Sequence, residues 1–176
     1  MSPLPQAYQL RISLADSEPE IWRRVLVSPQ VSLSDLHQVI QKAMGWEDMH
    51  EYAFDVGLAE KRSRLTPTSL LSEVITANTP LYYTYDFASG WLHRITLESI
   101  EAKAEDNLEI TLPTCTDGEN ACPPEGTGGV WGYDDFLDRL EDSSDPDYIT
   151  LIEKYSDFDP SVFNIKAAIE RLSTAK

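Results

Sequence analysis

The segment from Cys115 to Tyr133 carries the residues whose types could support chemistry. It reads CTDGENACPPEGTGGVWGY and contains both cysteines of the chain, two adjacent prolines, several glycines and two aromatic residues. Its glycines and prolines exclude a regular helix or a central strand. Ordered loops of this length usually carry function or are closed by a cross-link or an ion. We therefore predict a compact loop at 113–132 that leads into a helix at Tyr133.

Thiol and imidazole groups in this region suggest a metal site. Zinc takes about four ligands in a tetrahedral arrangement, most often from cysteine and histidine. Cys115 and Cys122 could supply two ligands, and His93 could supply a third. Because the cysteines are spaced more widely than in common zinc motifs, a carboxylate would have to complete the set. The candidates for it are Asp86, Asp117 and Glu119. Three states of the thiols stay open: zinc-bound, disulfide-bonded, or free and buried. No other cofactor is expected.

The histidines are the second group of candidates. The chain has three of them, His37, His50 and His93. Imidazole titrates near neutral pH and therefore suits proton transfer or metal ligation. His37 lies at the edge of an apolar helical stripe, so we interpret it as structural. His50 and His93 are candidates for one shared site.

Tryptophans and arginines are the candidates for a binding surface. Trp46, Trp91 and Trp131 could line a groove, although tryptophan more often fills the core of a small domain. Arg23 and Arg24 could grip a carboxylate or a phosphate, but in so acidic a chain we favour internal ion pairs. The predicted binding surface comprises Trp46, His50, Trp91, His93, Trp131, Tyr133, Arg23 and Arg24.

Charge and missing motifs exclude several function classes. The chain has 14 basic and 30 acidic residues, a net charge of −16. Such a surface repels phosphate backbones, so we expect no direct nucleic-acid binding and instead a protein partner with a basic surface. The sequence has neither a nucleophile elbow nor a phosphate-binding loop, so no catalytic residue is assigned. It also lacks a membrane-span pattern and a signal-peptide pattern, so a cytoplasmic location is expected.

Two strands and a helix are predicted at the start of the chain. The segments 8–14 and 21–27 read as strands joined in a hairpin. Ser32 opens a helix with an apolar stripe, and Gly45 ends it as a left-handed cap. We expect Trp46 to fold back onto the core.

Further strands are predicted before a helical end. Strands are expected at 52–56, 81–87, 91–100 and 108–112. Helices are expected to begin at Tyr133, Pro146 and Pro160. The last helix should bury Val162, Ile165, Ile169 and Leu172. This order favours an α+β fold with a mixed or antiparallel sheet. A length of 176 residues fits one domain, with a sheet and central helix at 1–112, the loop at 113–132 and a helical part at 133–176.

Four phrases together resemble the plasmid pRiA4b ORF-3-like family. They are IWRR from Ile21, LHQVIQKAMGW from Leu36, YDFASGWLHRI from Tyr85, and the loop from Cys115. They occur in the expected order and span most of the chain. The resemblance implies an α+β domain with a mixed sheet and a link to bacterial mobile elements. It implies no established activity.

The sequence departs from the family pattern in two places. Ala88 and Ser89 stand where family members usually carry Gly-Asp. Gly126 and Thr127 stand where they usually carry Asp-Cys. This chain therefore lacks carboxylate and thiolate groups that family members carry at these places, which reduces the ligand set for a metal.

Three hypotheses of function follow. The first is a binding or adaptor module in mobile-element or defence biology, which binds through the Trp91–His93 hairpin and the loop at 113–132. The second is a metal-dependent, hydrolase-like enzyme that uses His93, Cys115 and Cys122. The third is an acidic decoy that occupies a nucleic-acid-binding protein.

Overall fold

The computed structural model describes residues 6–58, 60–102 and 110–174. The strands are β1 (Gln6–Leu14), β2 (Trp22–Val27), β3 (Tyr52–Leu58), β4 (Lys61–Arg64), β5 (Leu81–Tyr85), β6 (Trp91–Ala102) and β7 (Thr114–Glu119). The helices are α1 (Leu33–Met44), α2 (Leu71–Val74), α3 (Gly129–Glu141), α4 (Tyr148–Lys154) and α5 (Ile165–Ser173). Among the described residues, no helix is long and apolar enough to cross a membrane.

The strands form one sheet in the order β4-β3-β5-β6-β1-β2-β7. Each neighbouring pair in this sheet is antiparallel. Antiparallel sheets commonly pack one face on a core and leave the other face in water. Strand β1 follows that rule, because Leu10, Ile12 and Leu14 are buried while Arg11 and Ser13 are partly exposed. The predicted α+β class is confirmed.

Helix α1 forms as its sequence predicts. The Ser32 hydroxyl accepts a hydrogen bond from the Asp35 N–H at 3.1 Å, and Gly45 ends the helix with a φ of 114°. The apolar stripe of α1 is buried in the hydrophobic core, which it shares with residues of the sheet. Helix α5 packs against both α1 and β7, so it covers the same side of the sheet. The core lies between these two helices and the strands.

The predicted bounds of the loop at 113–132 are wrong at both ends. Its first residues form β7, which pairs with β2 at the edge of the sheet. Its last residues form the first turn of α3, which begins at Gly129 and not at Tyr133. Pairing with β2 overrides a composition that locally disfavours strand, as tertiary contacts often do.

The later helices begin further along the chain than predicted. Helix α4 begins at Tyr148 rather than Pro146, and α5 begins at Ile165. Asn164 caps α5 by accepting a hydrogen bond from the Ala167 N–H at 3.0 Å. The buried residues of α5 are Ala168 and Leu172. Two residues that were predicted to be buried are exposed: Val162, which precedes α5, and Ile169 within it. Strand β5 ends at Tyr85, two residues before its predicted end. The segment 108–112, predicted to be a strand, lies partly outside the described residues, and its described part, 110–112, is not a strand.

Candidate functional site

Three connecting segments meet beside the amino-terminal end of α3. They are the α1–β3 connection (45–51), the β5–β6 turn (86–90) and the loop before α3 (122–128). The Glu125 carboxylate in the third segment accepts hydrogen bonds from the Glu47 N–H of the first segment and from the hydroxyl of Tyr85, the last residue of β5 before the turn, each at 2.9 Å. We call this place the three-segment junction. The Glu47–Glu125 hydrogen bond joins residues 78 positions apart, and the junction includes parts of three of the four family-like phrases.

A buried aromatic frame lies behind the junction. The Trp46 ring centroid is 5.0 Å from that of Trp91 and 5.3 Å from that of Tyr85. Trp91 is fully buried, and Trp46 is buried as well. The predicted groove of Trp46, Trp91 and Trp131 does not form, because two of the three rings are packed in the core. They position the junction and are inaccessible to a partner.

His93 is part of the same frame. Its side chain is fully buried, with Nε2 accepting a hydrogen bond from the Trp46 Nε1–H at 3.2 Å. The other ring nitrogen, Nδ1, lies 3.1 Å from the carbonyl oxygen of Tyr83 and donates to it. Burial lowers the pKa of His93 to about 4, so the ring is neutral at physiological pH. Both nitrogens are occupied, and metal ligation would break the Trp46 contact.

His37 anchors the α1–β3 connection from the other side. Its Nε2 donates to Asp48 at 2.7 Å, and its Nδ1 accepts from the Tyr83 hydroxyl at 2.7 Å. The ring also stacks on Tyr52 with centroids 3.7 Å apart. Burial lowers the pKa of His37 despite the nearby Asp48 carboxylate. Tyr83 is fully buried, and its hydroxyl also accepts a hydrogen bond from the Gln41 side chain. This chain of hydrogen bonds therefore fixes the α1–β3 connection.

His50 lies at the surface of the junction, apart from His93. Its Nε2 is 3.8 Å from a carboxylate oxygen of Asp86, a buried residue with a φ of 55°. Ser89 donates its hydroxyl to the same carboxylate at 2.5 Å. Burial alone would raise the pKa of Asp86, but the Ser89 hydrogen bonds and His50 bring it below its usual value. Ser89 thus donates to a carboxylate and not to an imidazole, the base that most often activates a serine.

The two cysteines are free thiols near the carboxy-terminal end of α1. Cys115 lies on β7 and is buried, and Cys122 lies in the loop before α3. Burial raises the pKa of both thiols, although the Arg23 guanidinium opposes the shift. Protonated thiols are poor nucleophiles. Within the ranges that the structure describes, no group of three or more His, Cys, Asp or Glu side chains could hold a metal ion.

The two adjacent arginines have different environments. Arg24 forms the expected ion pairs, at 2.6 Å to Glu98 and 3.3 Å to Asp117. Arg23 is buried and instead donates to backbone carbonyls, among them Ala43 at 3.1 Å and Glu119 at 2.9 Å. Both side chains therefore have internal roles, and Arg23 is inaccessible to a ligand.

Trp131 is the exposed aromatic residue that remains of the predicted binding surface. It lies in the first turn of α3 with 84% of its area exposed, whereas Tyr133 beside it is buried. At helical spacing, positions three, four and seven residues later share its face. These positions are Asp134, Asp135 and Asp138, and all three are exposed. We call this set the α3 ridge.

Sequence reasoning missed the polar residues that hold the junction together. Glu125, Tyr83 and Gln41 each bond to a segment distant in sequence, and Asp48 ties the α1–β3 connection back to α1. Glu125 and Gln41 stand within family-like phrases, and that was the available signal. The others have no local pattern that distinguishes them from ordinary core or loop residues.

The close approach of α3 to the β5–β6 turn can be tested with a pair of glycines. Gly129 and Gly126 both have positive φ, 81° and 78°. A Cβ at Gly129 would overlap the Ser89 carbonyl oxygen, whereas a Cβ at Gly126 meets no atom within 4 Å. We expect Gly126→Ala to cost about 1 kcal/mol of unfolding free energy and Gly129→Ala about 3 kcal/mol. Urea unfolding measures both, and equal losses would show that backbone strain alone acts.

Comparisons with known proteins agree with this architecture. The fold and junction define an α+β protein whose connecting segments are locked around a buried aromatic frame. The profile of the family described as Plasmid pRiA4b ORF-3-like protein matches residues 6–167. The chain belongs to this family, as the resemblance of its four phrases indicated.

Two relatives extend the comparison. The chain is 35% identical over 169 residues to the Uncharacterized protein y4hQ of Sinorhizobium fredii (strain NBRC 101917 / NGR234). The alignment covers 89% of this chain and 85% of the relative. It is also similar to a solved structure, titled Crystal Structure of Protein of Unknown Function MM3350 from Methanosarcina mazei Go1. That match has a TM-score of 0.82 and 32% identity, and it covers 93% of this chain and 97% of the other.

Proposed function

We propose that the protein is a binding module that takes a basic segment of a partner protein on the α3 ridge. The observation that carries the proposal is the exposure of Trp131 beside three exposed aspartates on the same helical face. We propose that such a module works in mobile-element or defence biology, and the link to mobile elements that the family resemblance implies supports this.

The chemistry of the ridge fits a cationic side chain. An indole face attracts a guanidinium or an ammonium group through its ring quadrupole, and tryptophan is the strongest aromatic partner for this contact. Carboxylates at neighbouring positions add charge attraction and accept hydrogen bonds from an arginine. A large exposed tryptophan is also a common centre of protein interfaces. The ridge therefore combines an apolar anchor with acidic neighbours.

The electrostatic surroundings reinforce this preference. Residues 134–159 include ten acidic and two basic residues. One of the two, Arg139, is already paired with Asp145 at 2.8 Å and Asp147 at 2.9 Å. Clustered charge of one sign speeds the encounter with a partner of the opposite sign. An anionic partner such as RNA would be repelled.

The test uses a short Arg-Gly repeat peptide and a Glu-Gly repeat of the same length. Calorimetry should show binding of the basic peptide and none of the acidic one. We expect Trp131→Ala to weaken binding about tenfold, because it removes both the cation–π contact and the buried ring area. Quenching by acrylamide gives a second readout, since Trp131 is exposed while the other three tryptophans are buried.

The matched control is Leu58→Ala, which removes a side chain that is 83% exposed on β3 and leaves the ridge intact. It should leave the affinity unchanged. An acidic decoy would behave differently, because its binding would fall with added salt yet tolerate Trp131→Ala. Equal affinities of the wild-type protein and the Trp131→Ala variant, or no binding of the basic peptide at all, would overturn the proposal.

A further inference from the structure

A cleft borders the ridge along α3 and shares Asp134 with it. It has a volume of about 140 Å³ and lies between the β1–β2 turn and α3. Its floor is made of apolar side chains, which include Leu14, Ile21, Val130 and Leu137. An apolar cavity of about 150 Å³ is large enough to take a benzene ring. The cleft therefore fits one ring or one branched aliphatic group.

The edge of the cleft carries charge of one sign. Of its twelve described lining residues, two are charged, Glu18 and Asp134, and both are acidic. Both are exposed, so their carboxylates stay hydrated while the floor is apolar. A bound group with a positive nitrogen beside its apolar body would satisfy both features. A carboxylate or phosphate in the same place would meet repulsion.

We infer that this cleft binds a small organic amine whose ring or branched chain fills the apolar floor while its ammonium group lies near Glu18 and Asp134. The inference does not rest on the ridge, although the two sites share Asp134 and both take cationic chemistry. A free amine and a basic side chain of a bound protein share this chemistry, and the experiment separates them.

Tyr133 adds to the apolar wall of the cleft. It lines the cleft, and its side chain is buried. Its hydroxyl has almost no accessible surface, so the residue offers the cleft its ring and no polar group.

The test is a titration followed by amide NMR signals, with benzylamine, benzyl alcohol and benzoate as probes. The three have rings of the same size and differ in charge. We expect benzylamine to shift the amide signals of Leu14, Val130 and Tyr133. Benzyl alcohol should bind about tenfold more weakly at the same place, and benzoate should not bind. Equal affinity for amine and alcohol, shifts elsewhere, or no binding of benzylamine would overturn the inference.

Variants make the test specific. Asp134→Asn should reduce the affinity for benzylamine severalfold toward that of the alcohol. Asp138→Asn removes a carboxylate from the same helix outside the cleft and should leave the affinity unchanged. Val130→Phe should fill the cleft and abolish binding of both the amine and the alcohol. Should that variant not fold, the surface pair of aspartate variants still decides the question.

A final arm separates the two sources of the amine. Trp131→Ala should leave benzylamine binding unchanged while it weakens the Arg-Gly peptide. If saturating benzylamine also displaces the peptide, the cleft holds a side chain of the partner and not a free amine, which would overturn the assignment to a small ligand. Failure of the ridge and failure of the cleft are therefore distinguishable.

Discussion

Replacing Arg23 with methionine should cost about 3–5 kcal/mol of unfolding free energy. Methionine keeps much of the volume but has no donor for the carbonyls of Ala43, Trp22 and Glu119, which accept from the guanidinium at 2.8–3.1 Å. It also removes a cation that lies 3.8 Å above the ring of Phe163. Buried carbonyls left without partners cost about 1–3 kcal/mol each. Urea unfolding at neutral pH measures the loss.

The neighbouring arginine provides the control. Arg24→Met removes ion pairs with Glu98 and Asp117, but these lie at the partly exposed face of the sheet. Exposed pairs contribute about 0.2–1 kcal/mol, so we expect a small loss. Arg23→Lys should recover little of the stability, because an ammonium group cannot reproduce the planar fork of donors. Similar losses for Arg23→Met and Arg24→Met would contradict the role assigned to the buried guanidinium.

The reason for this asymmetry lies at the carboxy-terminal end of α1. The last carbonyls of a helix have no partner within the helix and carry partial negative charge. Arg23 donates to the carbonyl of Ala43, and Arg171 of α5 donates to that of Lys42 at 2.7 Å. Two guanidinium groups from distant parts of the chain thus cap one helix. Trp46 follows directly, so the caps also determine where the junction begins.

The sequence predicts this fold best where local pattern and packing agree. Helix α1 has a capping serine, a single apolar stripe and a terminal glycine, and each signal is contained within fourteen residues. Strand β7 offers no such pattern, because it forms through pairing with β2 from almost a hundred residues away. The start of α3 is similar, because its glycines have low helix propensity and therefore give no indication of a helix there.

The site was predicted less well than the fold because exposure is a tertiary property. Trp91 and Trp131 stand in equally distinctive phrases, yet one is fully buried and the other is 84% exposed. The alternation along β6 tells which residues share a face with His93, but it does not tell which face the helices cover. Arg23 and Arg24 show the limit most clearly, since adjacent residues of one type point to opposite faces of β2.

Acid should unfold the protein in a way that depends on His93. Its folded pKa of about 4 lies below the value of about 6.5 for a free imidazole. Between these pH values the unfolded chain binds a proton that the folded protein excludes. The stability from the neutral ring is therefore complete above pH 6.5 and is lost as the pH falls toward 4. The total loss from this one group is about 3 kcal/mol.

His93→Gln separates this contribution from those of the other groups. A glutamine can accept from the Trp46 N–H and donate to the Tyr83 carbonyl without titrating. The buried ring of His37 adds a slope of the same sign, because burial lowers its pKa as well. Carboxylates with lowered pKa values, such as Glu98, lose their contribution only at lower pH, below about 4.5. The difference between wild type and His93→Gln thus isolates one imidazole.

The measurement is the unfolding free energy in urea at several pH values between 4 and 7. We expect His93→Gln to be less stable at pH 7 but to lose less stability on acidification, so that the two curves converge. A His93→Gln curve parallel to that of the wild type would mean that the folded protein accommodates a protonated His93. The aromatic frame behind the junction would then be open enough to admit water. Such a frame could not be the rigid support that holds the loop before α3 and the α3 ridge in place.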